Sequence, residues 1–125
     1  MLVEDDPAVA QKYQQGLEIG GFRVITLSDA SAFFQGIEDE IPEIAVLDFQ
    51  LGDLITGLDI LDNLRLDGRT AHLPVLVLSN NLGDFDGHID RAIEAGALAW
   101  LVKSHTTPSQ LAARVSEALG SLVSS

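Results

Sequence analysis

The stretch VLDFQLGD, Val46 to Asp53, decides how the rest of the chain is read. With Ile44 and Ala45 in front of it, it forms an apolar run, Ile44 to Leu47, that stops at a carboxylate, Asp48. An unbroken apolar run of this length suits a strand buried on both faces, and such strands belong to parallel sheets. The acid then marks the strand's carboxyl end. Met1-Leu2-Val3 repeats the arrangement and stops at Glu4, Asp5 and Asp6.

Working outward, short β-branched runs alternate with segments of helical period, the signature of βα units on a parallel sheet. Asp6-Pro7 opens a first helix, with aspartate as N-cap and proline at the first helical position. Val9, Tyr13 and Leu17 give its stripe, and Gly20-Gly21 stops it. Phe22 to Leu27 reads as the second strand. Ser28 or Asp29 caps a second helix carrying Phe33, Phe34 and Ile37. A loop from Asp48 to Thr56 leads to a third helix with Leu58, Leu61 and Leu64. Pro74 to Leu78 is the fourth strand, followed by Ser79. A loop from Asn80 to Gly87 precedes a helix with Ile89, Ala92 and Ile93. Leu98 to Val102 is the fifth strand, followed by Lys103. Thr107-Pro108 opens the last helix, striped by Leu111, Val115, Ala118, Leu119 and Leu122.

The expectation is one domain over residues 1–122, with 123–125 a tail or the start of a linker to an output domain. Five strands and five helices with short right-handed crossovers put helices on both sheet faces. Apolar residues make up 46% of the 125, enough for a packed core. A net charge of −12 argues against nucleic-acid contact by this domain and against acidic bilayers. No apolar run reaches the length of a membrane span. The absence of cysteine excludes disulfides and fits a cytoplasmic location.

In open α/β sheets the site lies beyond the carboxyl ends of the strands. Those ends carry Glu4, Asp5 and Asp6, then Asp48, Ser79 and Lys103. Clustered carboxylates repel one another unless their pKa values rise or a cation joins them. Magnesium fits an all-oxygen set with room for waters and a phosphate oxygen. Zinc would call for histidine or cysteine, and His72, His88 and His105 lack a ligand spacing; they are expected at the surface. With the cation bound, Asp48 becomes a candidate nucleophile for phosphoryl transfer, with Lys103 and Ser79 holding phosphoryl oxygens. Asp6 is expected to serve only as an N-cap. Taken singly, Glu4 and Asp5 suit a helix N-terminus, Asp48 a turn and Trp100 the core.

The motifs LVEDDP, VLDFQLGD, VLVLSN and WLVKS, in this order, resemble the receiver domains of bacterial two-component response regulators over nearly the whole chain. The resemblance implies a flavodoxin-like (βα)5 fold with sheet order 2-1-3-4-5. It implies that Asp48 is the phosphoacceptor, that Glu4 and Asp5 form the acidic pair for Mg²⁺, and that Gln50 supplies a backbone carbonyl to the metal. It further implies Ser79 as the switch hydroxyl, Lys103 as the phosphate-contacting lysine and Trp100 as the switch aromatic. Gln50 and Asn81 fall where side chains tune the phosphoryl lifetime. Three departures stand out: Gly52 replaces a common proline in a loop one residue longer than usual, Ser104 replaces the proline after the lysine, and Trp100 is bulkier than the usual aromatic. A Lys-Pro bond in the family is typically cis, and a cis bond at Lys103-Ser104 would be costly.

The implied function is a phosphorelay switch, charged by a histidine kinase or a histidine phosphotransfer protein. Its output passes through the face of the fourth helix, fifth strand and fifth helix, to a homodimer partner or an output domain. Such a domain is not an enzyme with an external substrate. The alternatives are a degenerate receiver that only docks, and a flavodoxin-like cofactor carrier. The carrier would need free backbone amides after strand one, where Glu4-Asp5-Asp6-Pro7 offers acids and a proline.

Overall fold

The computed structural model describes residues 1–52, 55–80 and 87–123, the last three as backbone. Its elements are β1 (Leu2–Val3), α1 (Pro7–Ile19), β2 (Thr26–Leu27), α2 (Ala30–Asp39), β3 (Ala45–Asp48), α3 (Gly57–Leu66), β4 (Val75–Ser79), α4 (His88–Glu94), β5 (Ala99–Val102) and α5 (Pro108–Val123), with a 3₁₀ turn at Lys103–His105. All strand pairs are parallel, in the order β2-β1-β3-β4-β5. The expected flavodoxin-like order is therefore present.

Local chemistry sets the helix ends. The Asp6 carboxylate accepts from the amides of Ala8 and Val9, with Pro7 in the first turn. Of the two candidates for capping α2, Asp29 does so, accepting from Ala32 N at 2.7 Å. Thr56 and Asp59 form a reciprocal capping box at the start of α3. Thr107 caps α5 through Gln110 N.

The sheet separates two apolar layers. Val3, Ala45, Leu47, Val75 and Val77 face Phe33, Ile37, Leu58, Leu61 and Leu64. Leu2, Val46, Leu76, Leu78 and Leu101 face Tyr13, Leu17, Leu111 and Val115. Alternate residues of β3 and β4 thus enter opposite layers, as strands covered on both sides must. The second strand is shorter than expected. Only Thr26 and Leu27 pair with Leu2 and Val3, because β1 offers just two residues to pair with. Ile93 is half exposed rather than part of a buried stripe; in α4 only Ala92 is buried. The Lys103-Ser104 peptide is trans, as are the others described.

Candidate phosphoryl site

The parallel register brings the strand ends together. Asp48 closes β3 beside Leu78, and Ser79 closes β4 beside Val102, the residue before Lys103. Glu4 and Asp5 follow β1. Glu4, Asp48 and Ser79 are all buried, at 3%, 3% and 1% exposure. Asp5 is exposed, yet carboxylate oxygens of Glu4, Asp5 and Asp48 lie within 4.8 Å of one another. Lys103 Nζ sits 2.6 Å from Glu4 Oε2 and 3.1 Å from Asp48 Oδ2. The open concavity over these groups is lined by Glu4, Asp5, Asp48, Gln50, Asn80 and Lys103, among others.

Backbone donors and a close approach hold the carboxylates in place. Asp6 N donates to Glu4 Oε1 at 3.1 Å, and Gln50 N donates to Asp48 Oδ1 at 3.3 Å. Phe49 O accepts from Gly57 N at 2.7 Å, which ties the residue after Asp48 to the start of α3. A Cβ on Gly57 would lie 2.6 Å from Asp48 O, so only glycine permits this approach. Gln50 is exposed and bridges to Thr56 across the loop, whose Gly52 has φ +102°.

The electrostatics are those of an unbalanced cluster. Burial first, then the Glu4 charge, pushes the Asp48 carboxyl up to about 7. Burial alone would lower the Lys103 ammonium, but its bonds to Glu4 and the charge of Asp48 outweigh this and leave it raised. Three carboxylates against one ammonium leave two negative charges, which one divalent cation would cancel. The donors are all oxygens, the set that suits a hard cation. Glu4, Asp5 and Asp48 thus fit a metal.

The structure places Glu4, Asp5, Asp48, Gln50 and Lys103 around one concavity, and Ser79 buried at the end of β4 beside Val102. Asp6 is an N-cap. Asn81 lies outside the described residues. Trp100 is half-buried, with its ring centroid 5.1 Å from that of Phe49 and its buried Nε1 without an acceptor among the described residues. His72 and His105 are exposed, but His88 packs its ring 4.8 Å from Phe49. Phe49 and Gly57 were not singled out from sequence. The signal for Phe49 was its place beside Asp48.

Sheet order and rim chemistry define a flavodoxin-like α/β domain with an acidic pocket bridged by a lysine. The chain belongs to the response regulator receiver domain family of two-component signalling, which it matches over residues 1–116. It is 30% identical over 115 residues to the alkaline phosphatase synthesis transcriptional regulatory protein PhoP of Bacillus subtilis, covering 92% of this chain and 45% of that one. It superposes on the receiver domain of NtrX from Brucella abortus with a TM-score of 0.77 at 27% identity, covering 95% and 96% of the two chains. The chemotaxis response regulator CheY4 of Vibrio cholerae matches with a TM-score of 0.81 over 94% of each chain; at 20% identity that likeness speaks for the fold alone. The chain spans less than half the length of the transcriptional regulators it matches. Among the described residues, no helix is long and apolar enough to cross a membrane.

Proposed function

We propose that Asp48 is the phosphoacceptor of a two-component switch and that Glu4, Asp5 and Asp48, with the Gln50 carbonyl, hold Mg²⁺. The observation that carries this is the meeting of Lys103 with both Glu4 and Asp48 at the strand ends, where carboxylate oxygens of Glu4, Asp5 and Asp48 lie within 4.8 Å of one another. When bound, the cation supplies charge neutralisation for the incoming phosphoryl group. An oxygen of Asp48 attacks phosphorus in line, the bond from phosphorus to the donor breaks, and an aspartyl phosphate forms. The donor is a phosphohistidine of a kinase or phosphotransfer protein, and the leaving imidazole takes up a proton. Lys103 holds one phosphoryl oxygen and the Ser79 hydroxyl another. Gln50, exposed at the rim, and Asn81 set access of water and so the lifetime.

The domain acts on itself alone: phosphorylation and later hydrolysis both occur at Asp48, and no external substrate is turned over. Ser79 and Trp100 transmit the change to the α4–β5–α5 face, which engages a second copy or an output domain. The location is cytoplasmic, where the donor kinase domains reside.

The test uses acetyl phosphate as a small donor. Wild-type protein should gain one phosphoryl group in Mg²⁺ and none in excess chelator, and Asp48→Asn should gain none. Labelling of Asp48→Asn at the wild-type rate would refute the assignment. No labelling of the wild type under any metal condition would leave a docking module.

A further inference from the structure

We propose that the Tyr13 hydroxyl is a positioning group for Lys103, fixing the backbone from which the lysine reaches the phosphoryl site. This rests on the reading of Asp48 as phosphoacceptor. Tyr13 lies on α1, fully buried in the layer that α1 and α5 form on one sheet face, among Leu17, Leu111 and Val115. An apolar layer has no use for a hydroxyl, since phenylalanine fills nearly the same space without the cost of burying a polar group. The hydroxyl is buried here because it has main-chain partners. It donates to Thr106 O at 2.8 Å, with a longer arm of 3.4 Å to Lys103 O.

Those two carbonyls bracket the 3₁₀ turn at Lys103–His105, which Thr106 N closes onto Lys103 O at 3.3 Å. The turn has no side-chain cap, and Ser104 and His105 are exposed. Ser104 places no ring on the backbone after the lysine, so the direction of the turn depends on non-covalent bonds. Among the described residues, Tyr13 is the one whose side chain bonds the backbone of residues 103–106. The path from α1 to the site is therefore short. Tyr13 holds Thr106, Thr106 closes on Lys103, and the Lys103 ammonium reaches Glu4 and Asp48. Charge stabilisation in phosphoryl transfer depends on placement, and a shift of less than 1 Å at such a group is felt in the rate.

Tyr13→Phe keeps the ring and deletes the bond. With acetyl phosphate and saturating Mg²⁺, labelling of Asp48 should slow by about fivefold, and Mg²⁺ affinity should stay within about twofold of wild type. Beryllofluoride affinity, measured at equilibrium on protein shown to be folded by circular dichroism, should fall by a similar factor. In a Lys103→Ala background the Tyr13→Phe change should have no further effect, because the group it positions is gone. A general loosening of the core would slow both backgrounds alike. The proposal is overturned if Tyr13→Phe labels at the wild-type rate or slows both backgrounds equally. If wild-type protein takes no label in Mg²⁺, the phosphoacceptor reading fails and takes this proposal with it.

Discussion

Asp48→Asn should stabilise the metal-free domain at pH 8. The Asp48 side chain is 4% exposed and shares a single ammonium with Glu4, which holds that ammonium more closely. Burial and the Glu4 charge push its carboxyl up to about 7, whereas in an unfolded chain an aspartate titrates near about 3.9. Between these values the folded state keeps a proton that the unfolded state has lost. Stability therefore falls as pH rises from about 4 to about 7, and is flat above that. Roughly three pH units at about 1.4 kcal/mol each set a ceiling of about 4 kcal/mol. Relaxation and water at the open rim raise the effective dielectric, and about 2 kcal/mol is the working figure. At pH 5 the same reasoning leaves less than about 1 kcal/mol.

The assay is a pair of thermal melts in EDTA. For a domain of this size about 1 kcal/mol moves Tm by roughly 3–6 °C, so the variant should melt about 6–12 °C above wild type at pH 8 and less than about 6 °C above it at pH 5. Mg²⁺ should narrow the gap at pH 8. At ten times its Kd it adds about 1.4 kcal/mol to the wild type, and it adds less to a variant that has lost a ligand. A variant that melts at or below wild type at pH 8, or a gain that does not change with pH, would refute the repulsion argument.

Gly57→Ala should lose about 1–3 kcal/mol, because the new Cβ meets the backbone at Asp48 O and Phe49 Cα rather than a yielding side chain. Gly68→Ala, where nothing lies within 4 Å, is the control and should melt near wild type; equal losses in urea titrations of the two variants would exclude the clash. Arg65→Ala removes bonds of 2.7 and 3.3 Å to the carbonyls of Ala95 and Gly96, which tie the end of α4 to α3, and one of 3.1 Å to Thr70 O in the loop after α3. It should cost about 1–2 kcal/mol and speed amide exchange in residues 88–97 before it does so in β3. Uniform acceleration across the sheet would show that Arg65 does not hold α4 locally.

Most of the architecture was legible because its signals are local. Buried parallel strands need apolar runs, and β3 and β4 supply them. Asp6-Pro7 and Thr107-Pro108 carry their capping chemistry in adjacent residues. The strand-end acids and Lys103 were legible as a site because parallel topology sends every strand's carboxyl end to one edge. The misses are non-local. Phe22 to Ile25 has the composition of a strand, but a strand exists only where a neighbour pairs with it, and β1 offers two residues. Nothing around Tyr13 betrays an acceptor that lies 93 residues further along the chain. His88 looked like a surface residue until the fold set it against Phe49. That Lys103 holds Glu4 more closely than Asp48 follows from side-chain reach across the sheet, which spacing along the chain does not encode.

Burial is unevenly spread over the helices, and this bears on how the proposed switch would work. The α3 helix buries Leu58, Ile60, Leu61 and Leu64, whereas α4 buries only Ala92 and leaves Ile93 half exposed. An element with so little apolar burial rearranges at low free-energy cost, and regulatory motion is drawn from such elements. Phe49 sits between the two regimes. It follows Asp48 directly, it is buried, and its ring touches His88 on α4 and Trp100 on β5. A charge placed on Asp48 would therefore act beside an aromatic that contacts two of the three elements of the expected output face, α4 and β5. Among the described residues, the side-chain tethers that oppose the motion are the Arg65 bonds at the far end of α4 and the exposed Arg91–Asp62 pair at 3.3 Å, so the helix is held towards its carboxyl end and set against Phe49 at the other. That arrangement favours a pivot of α4 about its carboxyl end over a translation of the whole helix.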